Sequence, residues 1–448
     1  MTIAATPPAA PRQPAWLFWC VCVAIIASIT VFGGVYSYIW VPVGMALTLG
    51  LAALIWRQAR SGSRLEWHPI MAPMLAFGML VWLQWATHHS LYPAATLTGL
   101  LRLAACGSIF YLSFCMAKSS RDSRRLSRAL WLFTGLMCVE AILQFFSAND
   151  YIYWFHNASY ASPIGPFVYR NHFAGCMDLL LPLAVYESLQ EVGRANMPWG
   201  ALLRRSLVPV LALVALMLSQ SRGGILTLIF EAAMAAIVLW PILRRQGRAR
   251  RIAFASLSLF LLFVALSNAG RLWTRFEQLS AANRNHSASF TTRMRVARTC
   301  VTIFRHYPVW GTGFGTFASI YPAFQKFDSG KIFIYAHSDF AQALAETGLL
   351  GAVCIIAFLL IWLRAFCRLY HDTATPLRFL RLAAFIGTAG LIFHSTAEFQ
   401  FHDPANALLF FSLCGLAVAT PPAAKVGPAF VLSHMASREA PSLVSPPR

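Results

Sequence analysis

"LVPVLALVALMLSQSRGGILTLIFEAAMAAIVLW" (207–240) is apolar sequence broken once, by an arginine and two glycines set among serines. One membrane crossing takes about 20 apolar residues. The run is too long for one span and suits two, joined by a tight hairpin at "SQSRGG" (219–224). Gly223 and Gly224 are expected to make the reversal, because glycine tolerates positive φ. Arg222 then lies at a membrane surface. At mid-bilayer an arginine costs ~2.5–3.5 kcal/mol. At the surface it either anchors the hairpin by snorkelling or offers its guanidinium to an anion.

Runs of this kind fill most of the 448 residues, of which 58% are hydrophobic and 12% charged, with mean hydropathy +0.59. A soluble domain of this size needs far more surface charge, and a membrane barrel would show alternating strands of about ten residues. The expected fold is an all-α polytopic membrane protein of about twelve transmembrane helices. Spans are expected near 15–35, 37–56, 69–87, 94–117, 127–147, 170–189, 206–220, 223–242, 252–268, 339–363, 379–397 and 403–420. The organisation is then an N-terminal tail (1–14), nine spans (15–267), one large loop (268–338), three spans (339–420) and a proline-rich tail (421–448) without readable structure. The first apolar run lacks a small-residue cleavage site and reads as a retained span.

Charge assigns sides. "RQARSGSR" (57–64), "KSSRDSRR" (118–125), "RANMPWGALLRR" (194–205), "RRQGRARR" (244–251) and "RAFCRLYHDTATPLRFLR" (364–381) each follow an even-numbered span. The positive-inside rule puts them, and both termini, in the cytoplasm. Segment 148–169, the 219–223 break, the 268–338 loop and the 398–403 turn then face outward, into the periplasm of a Gram-negative cell. Topology thus accounts for much of the net charge of +20, and nucleic acid is not an expected partner. No CxxC or HExxH pattern occurs, so neither a metal site nor a cofactor is expected.

The chemistry-bearing residues gather on the outward face. In "TTRMRVARTCVTIFRHYPVWGTGFGTF" (291–317), Val296, Cys300, Ile303, Phe304 and Tyr307 recur at helical spacing, with Arg293, Arg295, Arg298 and Arg305 among them. Such a helix either lies on anionic lipid or brings Arg293, near its N-terminus, to a phosphate. "GTGFG" (311–315) is a turn that positions the loop rather than a nucleotide cradle, because no strand–helix unit surrounds it. In "AHSDFAQALAETGLLGAV" (336–353), Asp339, Gln342 and Glu346 share one helical face, and His337 sits at its mouth as a candidate base or pyrophosphate donor. Arg102, Glu140, Asp178, Glu187, Glu231 and Glu398 fall within or beside spans and need partners; an Arg102–Glu140 pair is one option.

"YRNHFAGCMDLLLPLA" (169–184), "LSQSRGGIL" (218–226), the arginine eighteen residues before "GTGFGTF", "HSDFAQALAETGLLG" (337–351) and "HSTAEFQFHDPANALLFFSLCGLA" (394–417) together resemble the bacterial O-antigen ligase and polymerase superfamily, in order over roughly residues 165–420. The resemblance implies a GT-C-type architecture. It also implies a metal-independent, inverting glycosyltransferase of the bacterial inner membrane, working on a glycan carried by undecaprenyl pyrophosphate. The acceptor would be a second glycan (polymerase) or the lipid A core (ligase). The "RNHFAG" and "HDPANALLF" segments lean towards exopolysaccharide polymerases. The resemblance gives catalytic roles to Arg222, Arg293 and His337. Arg170 and Asn171 match the motif opening the sixth span, and Arg295, Asp339 and Glu346 complete the expected substrate-binding set. A transporter or flippase of lipid-linked sugars is the alternative of a different class; it would show internal repeats, and none is evident.

Overall fold

A computed structural model describes residues 14–147, 151–158, 161–190, 199–243, 290–327, 333–375 and 377–419. Among these lie thirteen α-helices: α1 Ala15–Thr30, α2 Ser37–Arg60, α3 Met71–Ala86, α4 Pro93–Met116, α5 Ser120–Ser147, α6 Arg170–Leu189, α7 Trp199–Leu218, α8 Arg222–Leu243, α9 Phe290–His306, α10 Phe317–Phe324, α11 Asp339–His371, α12 Arg378–His394 and α13 Pro404–Val418. A two-residue hairpin pairs Tyr151 with Asn157 and Ile152 with His156. Eleven of the twelve stretches expected to span are helical. The ninth (252–268), the basic 244–251 segment, the side chains of 194–205, the first part of the large loop and nearly all of both tails lie outside the described residues.

Five helices (α2, α4, α5, α8 and α11) are long and apolar enough to cross a membrane, and α1, α3, α7 and α13 are shorter apolar helices. The chain is a multi-pass helical membrane protein. Leu49, Leu136, Ile237 and Leu360 are among the large apolar side chains left exposed on the outside of the bundle, as contact with hydrocarbon requires. α6 and α12 are different. They carry Asp178, Glu187, Arg381 and His394, yet those side chains are buried. Both helices are central, so protein rather than lipid surrounds their polar groups.

Small residues bring the central helices close. A β-carbon on Gly415 of α13 would stand 2.5 Å from the Phe110 carbonyl of α4, and Ser412 and Ser113 hydrogen-bond across the same contact at 2.8 Å. A β-carbon on Gly387 of α12 would stand 2.8 Å from the Leu179 carbonyl of α6.

The helices run past the apolar spans into the basic segments. α2 continues to Arg60, α5 begins at Ser120 and α11 reaches His371, because arginine and lysine stems are good helix formers whose heads reach out of the apolar zone. The starts of α4, α6, α8, α11 and α13 and the ends of α3, α7 and α12 gather at one end of the bundle, and that end holds the site.

Candidate active site

The hairpin at 219–224 forms differently from expectation. Gln220 takes the left-handed conformation, at φ 53°, and the two glycines do not. Ser221 caps α8 by accepting a hydrogen bond from the Gly224 N–H at 3.2 Å. Gly223 and Gly224 therefore lie in the first helical turn, where what matters is their lack of a side chain. A β-carbon on Gly223 would overlap the His394 ring, and one on Gly224 would stand 2.7 Å from Ala174 Cβ. The glycines seat the N-terminus of α8 against α6 and the end of α12. Arg222, the first residue of α8, is exposed and has no ion pair among the described residues.

Four residues beyond His394 lies Glu398, a buried carboxylate on which three segments converge. Oε1 stands 2.6 Å from Arg293 Nη1 and accepts from Asn171 Nδ2 at 2.7 Å. Oε2 faces His337 Nδ1 at 3.5 Å. Residues far apart in sequence, in α9, at the start of α6 and before α11, thus meet on one side chain. Burial pushes the Glu398 carboxyl up, but the His337 hydrogen bond and the Arg293 charge outweigh it and hold the group below its ordinary range. Arg293 Nη1 also donates to the Ala397 carbonyl at 3.1 Å. Nε and Nη2 have no protein partner among the described residues, on a side chain that is about one-third exposed (32%).

His337 is held in the left-handed region, at φ 53°, with its ring edge-on to Phe399 at 5.1 Å. Tyr335 stacks on Phe399 at 4.5 Å. With Nδ1 turned to Glu398, the Nε2 atom of a partly exposed ring (23%) is the one available to a ligand.

A second network holds this corner in place. Asp339 accepts from His402 Nδ1 at 2.7 Å and from the Phe401 N–H at 3.0 Å, and its own N–H reaches the Ser395 carbonyl at 3.0 Å. Glu346 accepts from the Gly315 N–H at 2.8 Å, the Phe317 N–H at 3.0 Å and Gln342 Nε2 at 3.0 Å. Asp339, Gln342 and Glu346 do share a buried face of α11, and the two carboxylates bind the protein's own backbone. "GTGFG" is a positioning turn: Gln84 of α3 accepts from the Phe314 N–H at 3.0 Å and donates to the Trp310 carbonyl at 2.6 Å. That turn leans on Gly348, where α11 breaks at φ 60°, ψ −155°.

Below the Glu398 corner, His394 Nδ1 meets Asp178 Oδ2 at 2.7 Å, both fully buried. Glu231 of α8 is buried next to Gly390. Arg102 and Glu140 do not pair. The Arg102 guanidinium lies 5.0 Å over the Trp40 ring, and both Glu140 oxygens are buried without a hydrogen-bond partner among the described residues.

Of the expected site residues, Arg293, His337 and Asn171 converge on Glu398, and Arg222 stands at the same end of the bundle. Arg170 begins α6 beside Asn171 and is already engaged within the protein. Arg295 points elsewhere, 5.6 Å over Phe327. The central part of Glu398, and the supporting parts of Gln400, His402 and Asn406, were not expected from sequence. Gln400 donates to the Asn171 carbonyl at 2.8 Å, and Asn406 donates to Gln400 at 3.0 Å. The available signal was the density of polar side chains in 394–406, set between two apolar helices.

The arrangement is that of a membrane-embedded helical bundle carrying a carboxylate–arginine–histidine site at one end. Residues 207–356, from α7 into α11 and including Arg222, Arg293 and His337, match the family described as O-Antigen ligase. The match covers about a third of the chain and supports a likeness to the O-antigen ligase and polymerase superfamily, whose members are glycosyltransferase-like enzymes of surface polysaccharide assembly. No curated protein matches the chain.

Proposed function

We propose that this chain is an inverting, metal-independent glycosyltransferase of the bacterial inner membrane. It works at the periplasmic face, with both termini in the cytoplasm, and moves a glycan from undecaprenyl pyrophosphate to an acceptor hydroxyl. The observation that carries this reading is Glu398, which holds Arg293 and His337 side by side at the end of the bundle where Arg222 is exposed and has no ion pair among the described residues.

The chemistry follows from the donor. A sugar on a lipid pyrophosphate is already activated, and guanidinium groups hold phosphates in bidentate geometry. Arg222, with Nε and Nη2 of Arg293, binds the pyrophosphate and stabilises charge growing on the leaving oxygen. His337 Nε2 takes the proton of the acceptor hydroxyl while Glu398 steadies Nδ1. The acceptor oxygen bonds to the anomeric carbon as the carbon–oxygen bond to phosphate breaks, and the electron pair leaves with the pyrophosphate. One displacement inverts the centre. Asp339 and Glu346 act through the backbone they hold, and Asn171 through Glu398.

A largely apolar groove of about 360 Å³, lined by Phe230, Phe340, Trp362, Phe393 and Thr396, runs along the outside of α8, α11 and α12. It begins beside the residues that flank Asp339 and Glu398, which suits an isoprenoid chain whose pyrophosphate sits at the site.

We adopt a second lipid-linked repeat as the acceptor, making the chain a polymerase. The ligase reading, with lipid A core as acceptor, is favoured by the description of the matching family. Purified protein in nanodiscs, given undecaprenyl-pyrophosphate repeat units with and without lipid A core, separates the two. A glycan ladder from donor alone, lost in Arg222→Gln, is the expected result. Product only with lipid A core makes the chain a ligase. No mutant-sensitive product in either arm, with lipid-linked sugar crossing the bilayer of sealed proteoliposomes that hold the same protein, makes it a transporter.

A further inference from the structure

The opposite end of the bundle from Glu398 holds a cavity of about 550 Å³ between the last turns of α11, the start of α12, the end of α13 and the approach to α3. Its polar lining includes Arg364, Arg368, Arg381, His68 and Asp372, and the rest is mainly apolar, with Leu369 and Val418 among the residues.

Three arginines thus face one acid, and that acid is engaged. Asp372 accepts from the Ala374 N–H at 2.9 Å and from Thr375 Oγ1 at 2.5 Å, closing its own turn. The nearby Glu66, two residues before His68, pairs with Lys118 at 2.5 Å. Arg364 and Arg368 are exposed and have no ion pair among the described residues.

Arg381 is the decisive residue. Only 2% of it is exposed, and among the described residues its guanidinium makes one hydrogen bond, a long one of 3.4 Å from Nη2 to the Ala117 carbonyl. A buried guanidinium is unfavourable unless something negative meets it, and this one lines a cavity. His68 reports the same field: burial, then the Arg368 charge, holds its imidazole below the usual range.

We propose that this pocket binds a phosphate group, carried by an anionic membrane lipid, with the phosphate on Arg364, Arg368 and Arg381 and the acyl chains against its apolar wall. Basic pockets between helices at a cytoplasmic surface suit such headgroups. The helix ends at this pocket are those of the basic segments. The apolar lining fits an amphiphile better than a soluble anion.

Native mass spectrometry of the full chain in detergent tests this, with phosphatidylglycerol, phosphatidylcholine and inorganic phosphate as probes. Phosphatidylglycerol should bind in preference to phosphatidylcholine. The double variant Arg364→Gln/Arg368→Gln, altered only at exposed positions, should weaken it by about tenfold or more. Arg222→Gln, at the other end, should leave that affinity unchanged, so the result is independent of the active-site reading. Inorganic phosphate binding as tightly as the lipid, and lost in the same variant, would assign the site to a soluble phosphate. Equal phosphatidylglycerol affinity in wild type and double variant, or no preference over phosphatidylcholine, overturns the proposal.

Discussion

Gly223 lies directly against His394, so closely that a β-carbon on the glycine would overlap the imidazole Nε2. His394 cannot step aside, because its other nitrogen is tied to buried Asp178 at 2.7 Å. Gly223→Ala must therefore move the first turn of α8, and Arg222 moves with it. A displacement near 1 Å in a positioning group can reduce turnover about 100-fold. We expect Gly223→Ala to lose at least about tenfold in glycan transfer. Leu226→Ala, at an exposed position one turn further on, should keep full activity. Transfer rates of the two variants, with melting curves, check this; equal activity would show that Arg222 is not placed by this contact.

Arg222 has no ion pair among the described residues and is exposed. Replacing it should leave stability within about 0.5 kcal/mol, as for other surface positions. On the proposed reading it should still cost activity, about 100-fold for Arg222→Gln, the usual loss of a charge-stabilising donor. Arg222→Lys should recover only part, since one ammonium cannot make the bidentate contact. Melting temperature and kcat/KM measured on the same preparations separate the effects. A variant that loses stability in step with activity would make Arg222 a structural anchor.

Glu398 predicts a pH dependence. Its folded pKa lies below the ordinary carboxylate value of 4.5, with burial opposing the shift and His337 and Arg293 driving it. A depressed carboxylate contributes stability that is fully present above the unfolded value and is lost as pH falls through the folded one. The wild type should therefore lose melting temperature more steeply than Glu398→Gln below about pH 4.5. The variant should be less stable near neutrality, where it no longer pairs with Arg293. Parallel pH–melt curves for the two proteins would mean that the Glu398 pairing contributes nothing to folding.

Much of the fold is legible in sequence because the apolar runs are long and the helix period is strong. The helix at 290–306 and its buried Val296, Cys300 and Ile303 follow from spacing alone. Arg293 and His337 are visible as charged or titratable residues of the outward-facing loop and, with Asn171, through the motifs that carry the family resemblance. What remains hidden is which carboxylate meets them. Glu398 lies 61 residues from His337, and no periodicity carries a contact across that interval. Asp339 and Glu346 resemble ligand groups in sequence for the same reason. Only the folded chain shows that backbone N–H groups already face them. The glycines at 223 and 224 mislead in another way, since a glycine needed for close packing reads the same as one needed for a turn.

Gly348 shows the difference. It breaks α11 at φ 60°, ψ −155°, a region open essentially to glycine alone. A β-carbon there would also stand 2.5 Å from the Val309 carbonyl. The strain alone costs about 1–3 kcal/mol, and the overlap would push the "GTGFG" turn off α11. That turn supplies the Gly315 and Phe317 N–H groups that satisfy Glu346, so displacing it leaves a buried carboxylate without its donors. Gly348→Ala should accumulate poorly and, where recovered, melt well below wild type. Gly62→Ala is the matched control. That glycine also has positive φ, at 64°, but lies in a turn with nothing within 4 Å of an added β-carbon, so it bears conformational strain without the overlap. Melting curves for the two variants in the same detergent test the assignment. Equal losses would mean that backbone conformation alone, and not the docking of the turn on α11, sets the requirement for glycine at 348.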